Sequence, residues 1–125
     1  MDITPQIPMG RQVIQRYGGG GFLIADKQYV GSVLVFREHV VPWSVSIIEE
    51  ISVGHFADIR NEAESINVLL MGCGNEMTYI ADDIQQNLKV NGIVIEPMDT
   101  GAACRTWNVL LSEERQAAAA LIAIG

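Results

Sequence analysis

The chain has 125 residues, of which 49% are hydrophobic and 18% charged; this suits one folded domain and excludes intrinsic disorder, which goes with few apolar residues and many charges. Eight basic against 15 acidic residues leave a formal charge of −7, a balance that disfavours nucleic-acid and anionic-membrane binding. The excess is local: residues 45–86 hold one basic residue (Arg60) and eight acidic ones, a charge of −7, while 1–44 carry +1 and 87–125 carry −1.

Residues 1–12 read as a flexible N-terminal arm and 13–125 as a single α/β domain. The first ten residues contain Pro5 and Pro8 and no apolar leader core, and no apolar run approaches the ~20 residues of a membrane helix. Two cysteines are too few for a disulfide framework, so a cytoplasmic setting is expected. Val13-Ile14 opens a short strand that ends at the glycine run 18–21. The apolar runs 22–24 and 32–36, punctuated by Asp26-Lys27 and Gly31, predict a hairpin or meander. Residues 40–43 read as a loop or strand exit, because Pro42 biases Val41 away from helix.

Ser52 is a good N-cap for a helix over 53–63, with Phe56, Ile59 and Ala63 on one face. The apolar run 66–71, bounded by Gly72 and Gly74, predicts a strand covered on both faces. Thr78 caps a second helix over 79–90, with Ile80, Ile84 and Leu88 inward and Asn91-Gly92 as its stop. Residues 93–96 form a second buried strand ended by Pro97. Strand, helix and strand make a parallel βαβ unit. Asp99 or Thr100 caps a third helix over 101–112. The last run, 116–124, fits a helix by alanine propensity and a crowded central strand by length.

The Gly72-Cys73-Gly74 turn after a buried strand is where α/β sheets bind ligands, but Met77 stands where a dinucleotide fingerprint needs its third glycine. A tight turn is the stronger reading. Cys73 could be a nucleophile at a helix N-terminus, yet only His39 and His55 could serve it, and His55 is expected at the opposite end of the sheet; buried cysteine as a small hydrophobe is favoured for Cys73 and Cys104 alike. His39, His55, Cys73 and Cys104 show no metal-ligand spacing, so no metal or cofactor is expected. Arg105, in a helix turn where the dipole does not favour it, needs a specific partner, with Asp99 and Glu113 as candidates. It marks either a polar pocket or a structural ion pair. Trp43, beside Pro42, is either a lid over the core or a partner anchor.

The stretch Met98-Asp99-Thr100-Gly101-Ala102-Ala103-Cys104-Arg105-Thr106-Trp107-Asn108, followed by Glu113 and Arg115, resembles the signature of a small domain-of-unknown-function family. That family includes the third mitochondrial complex I assembly factor and an adipogenesis-associated domain protein of animals. The resemblance runs from about residue 13 to the end. Trp107 stands where tyrosine is more usual, Cys73 where threonine is, and Glu114 where glycine is frequent. It implies a three-layer α/β fold around a mixed five-stranded sheet with one antiparallel strand, helices on the faces, and the alanine run as a strand.

Two readings of function follow. The first is a non-catalytic interaction or assembly domain with a protein partner, a basic one suiting the acidic stretch 45–86; a homo-oligomer is left open. The alternative is a small-molecule-binding protein or hydrolase. Its pocket would lie between Gly72, Cys73 and Gly74 on one side and Met98, Asp99, Thr100, Arg105, Thr106 and Asn108 on the other.

Overall fold

The computed structural model describes residues 9–125. The expected arm lies outside the described residues for positions 1–8; just after them, Arg11 bonds Glu38 and Glu114, and the Gln12 N–H donates to Arg37 O.

Strands β1 (Ile14–Gly18), β2 (Gly21–Ile24) and β3 (Lys27–Val30) form an antiparallel meander. The sequence hides β3 because Lys-Gln-Tyr-Val sits at the sheet's edge, largely in water, and shows no apolar run. The expected pairing of runs 22–24 and 32–36 does not occur; they lie in different sheets.

The second sheet holds β4 (Val33–Val35), β5 (Val40–Pro42), β6 (Val68–Gly72), β7 (Val94–Met98) and β8 (Ala117–Leu121) in the order β5-β4-β8-β6-β7. Strand β4 runs antiparallel to both neighbours, and β6 runs parallel to β7 and β8, so β4 is the one reversed strand. The alanine run is the central strand, with all five residues buried. Its alternation divides the interior. Ala118 and Ala120 join Leu34, Leu69, Met71, Phe56 and Ile59 on one face, whereas Ala117, Ala119 and Leu121 join Val33, Val35, Leu70 and Trp107 on the other. Small side chains there let large ones from the helices close in, so packing overrides alanine's helix preference.

Helices α1 (Ala57–Asn61) and α2 (Asp82–Lys89) cover the first face, and α3 (Thr100–Ser112) covers the second, flanked by β1. The helix expected over 53–63 is broken into a 3-10 turn, α1 and another 3-10 turn; burial of Phe56 and Ile59 holds the segment in place without continuous helix. The second helix starts at Asp82, four residues past the expected Thr78 cap, because Ala81 is still extended at its N-cap (φ −53°, ψ 144°). Ile80, Ile84 and Leu88 are buried as their spacing requires. Residues 40–42 form strand β5 within the stretch 40–43 expected as a loop or strand exit. Pro97 lies inside β7 and does not end it. Val94 and Glu96 are exposed, so β7 is an edge strand and not a strand covered on both faces.

Candidate functional site

Strand β6 and helix α3 meet through Thr100. Its N–H donates to Gly74 O (2.8 Å), its hydroxyl donates to Ile122 O (2.7 Å), and its Oγ1 accepts the Gly74 N–H (3.0 Å). The Cys73 N–H donates to Met98 O and the Ile122 N–H to Gly72 O. A Cβ on Gly72 would stand 3.1 Å from Thr100 Cα and Oγ1, closer than ordinary van der Waals contact, so glycine here lets the strand end approach the helix without displacing it. The ground between the 72–74 turn and the third helix is therefore occupied by direct hydrogen bonds. Asp99 caps α3, its carboxylate accepting the Ala102 N–H at 2.9 Å.

The other signature residues turn toward the meander. The Asn108 carboxamide accepts the Ile14 N–H (3.0 Å) and donates to Ile14 O (2.8 Å), presenting β1 with the donor and acceptor that a neighbouring strand would offer. The Trp107 indole N–H donates to Gln12 O (2.9 Å). Arg105 is exposed and donates to the Tyr17 hydroxyl at 2.9 Å. The candidates Asp99 and Glu113 are not its partners: Asp99 is spent on the helix end, and Glu113 lies 3.7 Å from Arg115 at the far end of α3. Tyr17 rests over Gly101, where a Cβ would meet the hydroxyl at 2.9 Å. Gly101 and Arg105, one turn apart, thus form the seat and clasp of one phenol. Thr106 is half-buried on the intervening turn. Sequence reasoning missed Tyr17, because nothing in its local pattern points to a helix 88 residues away.

Neither thiol is activated. Burial pushes the Cys73 thiol up, and its Sγ lies 3.6 Å from Met71 O and 3.8 Å from Thr78 O. Burial pushes Cys104 up to about 12. We expect a thiol-specific disulfide reagent to label neither cysteine in the folded protein at pH 8 and both after denaturation, since the thiolate is the reacting species. Rapid native labelling of one equivalent would show an activated thiol instead. Trp43, the candidate anchor, is only 8% exposed. Its indole N–H donates to His55 O (2.8 Å) and its ring meets Phe56 edge-on, so it closes the core and is not offered to a partner.

One cavity has a polar wall that the sequence did not suggest. About 230 Å³ in volume, it is lined by Arg37, His39, Glu62 and Ser65 near the start of β8. His39 Nε2 lies 2.9 Å from Glu62 Oε2, and its ring stacks on Phe36. Next to it, Glu114 takes Arg11 at 3.0 Å and Arg37 at 3.7 Å, and Arg11 also reaches Glu38 at 3.2 Å. Each of these carboxylates faces a basic side chain, and no His, Cys, Asp or Glu group able to hold a metal forms among the described residues. The only sequence signal was the Arg37-Glu38-His39 triplet after an apolar strand.

Residues 14–122 match the family model described as "Protein of unknown function (DUF498/DUF598)", and the chain belongs to this family. It is 34% identical over 113 residues to an uncharacterized protein of Rhodobacter capsulatus, covering 90% of this chain and 86% of that protein. It is 36% identical over 110 residues to the NADH dehydrogenase [ubiquinone] 1 alpha subcomplex assembly factor 3 of Danio rerio, covering 88% of this chain and 63% of the assembly factor. The chain thus spans less than two thirds of that relative. The crystal structure of a Bartonella henselae protein, described as an outer membrane protein, superposes with a TM-score of 0.83 at 33% identity, covering 96% of this chain and all of that one. No helix among the described residues is long and apolar enough to cross a membrane.

Proposed function

We propose that this member of the family is a non-catalytic assembly domain that works in the cytoplasm by holding a protein partner. The observation that carries the reading is where the signature goes. Thr100, Arg105, Trp107 and Asn108 spend their polar groups on Gly74, Ile122, Tyr17, Gln12 and Ile14, so the most family-specific residues build a frame and not a reaction centre. The raised thiols argue the same way. Similarity to the assembly factor supports a protein partner.

The surface offered to that partner is the acidic one on 45–86. Glu49, Asp58, Glu64 and Glu76 are exposed there, and they suit a basic face that approaches by electrostatic steering. The test is capture from the native host with the wild-type chain and with all four residues changed to lysine. A stoichiometric partner retained by the wild type and lost by the variant, with an unchanged melting temperature, is the expected result. Recovery of no stoichiometric partner would sink the assembly reading; equal capture by both chains would sink the acidic face.

A further inference from the structure

The polar cavity near the start of β8 lies where a strand ladder ends. Strands β4 and β8 pair in register from Val33–Leu121 to Val35–Ala119 and no further. Two residues on, Arg37 gives its carbonyl to the Gln12 N–H, and the chain turns back through Glu38 into β5. On the other side, the 3-10 turn Ala63–Ser65 leads into β6. The space of about 230 Å³ between these two turns has buried apolar lining from Phe36 and Ile66. Arg37, His39, Glu62 and Ser65 supply its polar wall. It sits at the opposite end of β6 from the 72–74 turn, apart from the pocket that the signature suggested.

The wall holds hydrogen-bonding capacity that the protein does not use. Arg37 is half-buried, and its Nε is buried with no hydrogen-bond partner among the described residues. Nη2 of the same guanidinium stands 3.7 Å from Glu114 Oε1, beyond hydrogen-bond length, and that oxygen is held by Arg11 Nη2 at 3.0 Å. A half-buried guanidinium short of acceptors is an uncommon and unfavourable arrangement, and its planar fork is shaped for a carboxylate. In the same cavity, His39 stacks on Phe36 and its Nε2 meets Glu62 Oε2 at 2.9 Å. That contact orients the Glu62 carboxylate and leaves Oε1 as an acceptor. The surroundings have no surplus of positive charge, since Arg11 and Arg37 stand against Glu38, Glu62 and Glu114. A bare anion would gain from Arg37 and lose to the carboxylates, and a bare cation would leave the guanidinium unmatched. A ligand that carries both charges is complementary to both groups.

We propose that this cavity is a binding site for a small zwitterionic amino acid with an apolar side chain. Its carboxylate sits on the Arg37 guanidinium beside Ser65, its ammonium on Glu62 Oε1, and its side chain against Phe36 and Ile66. The volume sets the size class: drug-sized ligands fill roughly 300–1,000 Å³, and this cavity is smaller. The site goes beyond the assembly reading and does not depend on it.

The test titrates the full chain with three probes of one shape: L-valine, isovalerate, which lacks the ammonium, and isobutylamine, which lacks the carboxylate. Binding is read from the chemical shifts of the Arg37 Nε–H and of the Ser65 and Ala117 amides. We expect L-valine to shift all three saturably, with a Kd of about 1 mM or tighter. Isovalerate and isobutylamine should each bind roughly tenfold more weakly, the scale of one charge-assisted hydrogen bond. Glu62→Gln keeps an acceptor for His39 and removes the charge; Arg37→Gln removes the fork. Each should weaken valine binding about tenfold or more while the spectrum stays dispersed. The absence of a saturable shift with valine at about ten times that Kd would overturn the proposal. So would isovalerate or isobutylamine binding as tightly as valine, or folded variants that bind valine like the wild type. The three probes decide the matter on the wild-type chain even if a variant does not fold. Partner capture by the acidic surface is read separately, so the two readings fail separately.

Discussion

Asn108→Ala is expected to cost about 3–5 kcal/mol, a large part of the roughly 5–15 kcal/mol that holds a domain of this kind together. The carboxamide makes both a donor and an acceptor bond to Ile14, whose side chain is wholly buried. Truncation leaves the Ile14 N–H and C=O without these partners inside the protein, each at about 1–3 kcal/mol. Urea denaturation reads the total, and hydrogen exchange at Ile14 reads the location: exchange there should accelerate more than in β6. Asn108→Asp is the informative companion. A carboxylate can accept the Ile14 N–H but repels Ile14 O, whereas the protonated acid can donate to it. Burial and the facing carbonyl raise the folded-state pKa of this acid above its unfolded value of about 3.9. Its stability is therefore highest in acid and is lost as pH rises above the unfolded pKa, so the variant should gain stability relative to wild type between pH 7 and pH 4. A cost below 1 kcal/mol for Asn108→Ala would mean that β1 is held by its side chains and not by this pair.

Thr100→Val keeps the shape and removes the hydroxyl. The substitution deletes the bond to Ile122 O and the one from the Gly74 N–H, at an expected cost of about 2–3 kcal/mol. For a domain of this size that lowers the midpoint by roughly 10 °C in a calorimetric scan. Thr100→Ser retains the hydroxyl and loses a methyl in a fully buried setting, so it should cost about 1 kcal/mol. If serine is as damaging as valine, packing and not the hydrogen-bonded junction of β6, α3 and the end of β8 is what matters.

Glu114 sits at φ +55°, a conformation that costs an ordinary residue about 1 kcal/mol. This chain offsets that cost with a carboxylate that draws in both Arg11 and Arg37. Trp107 offers one ring donor, which it gives to Gln12 O. Cys73 directs a weak donor toward Met71 O.

What the amino-acid order determined by itself was local. The four-residue spacing of Ile80, Ile84 and Leu88 set the buried face of α2, and the pair Asp99-Thr100 set the start of α3. The apolar run bounded by Gly72 set an interior strand parallel to the one after α2. Each of these follows from neighbours within a turn or two. The tertiary structure decided what depends on a distant partner: that four consecutive alanines are a strand, that Lys27–Val30 is a strand at all, that Arg105 meets Tyr17 and not Asp99, and that His39 meets Glu62. Asn108 and Ile14 are 94 residues apart, and no periodicity links them. An exposed edge strand carries little hydrophobic pattern, and a polar side chain's partner is chosen by chain topology. For this reason the sequence leaves the signature open between a pocket and a structural pair, and only the fold gives its polar groups their partners, among them Tyr17 and Ile14.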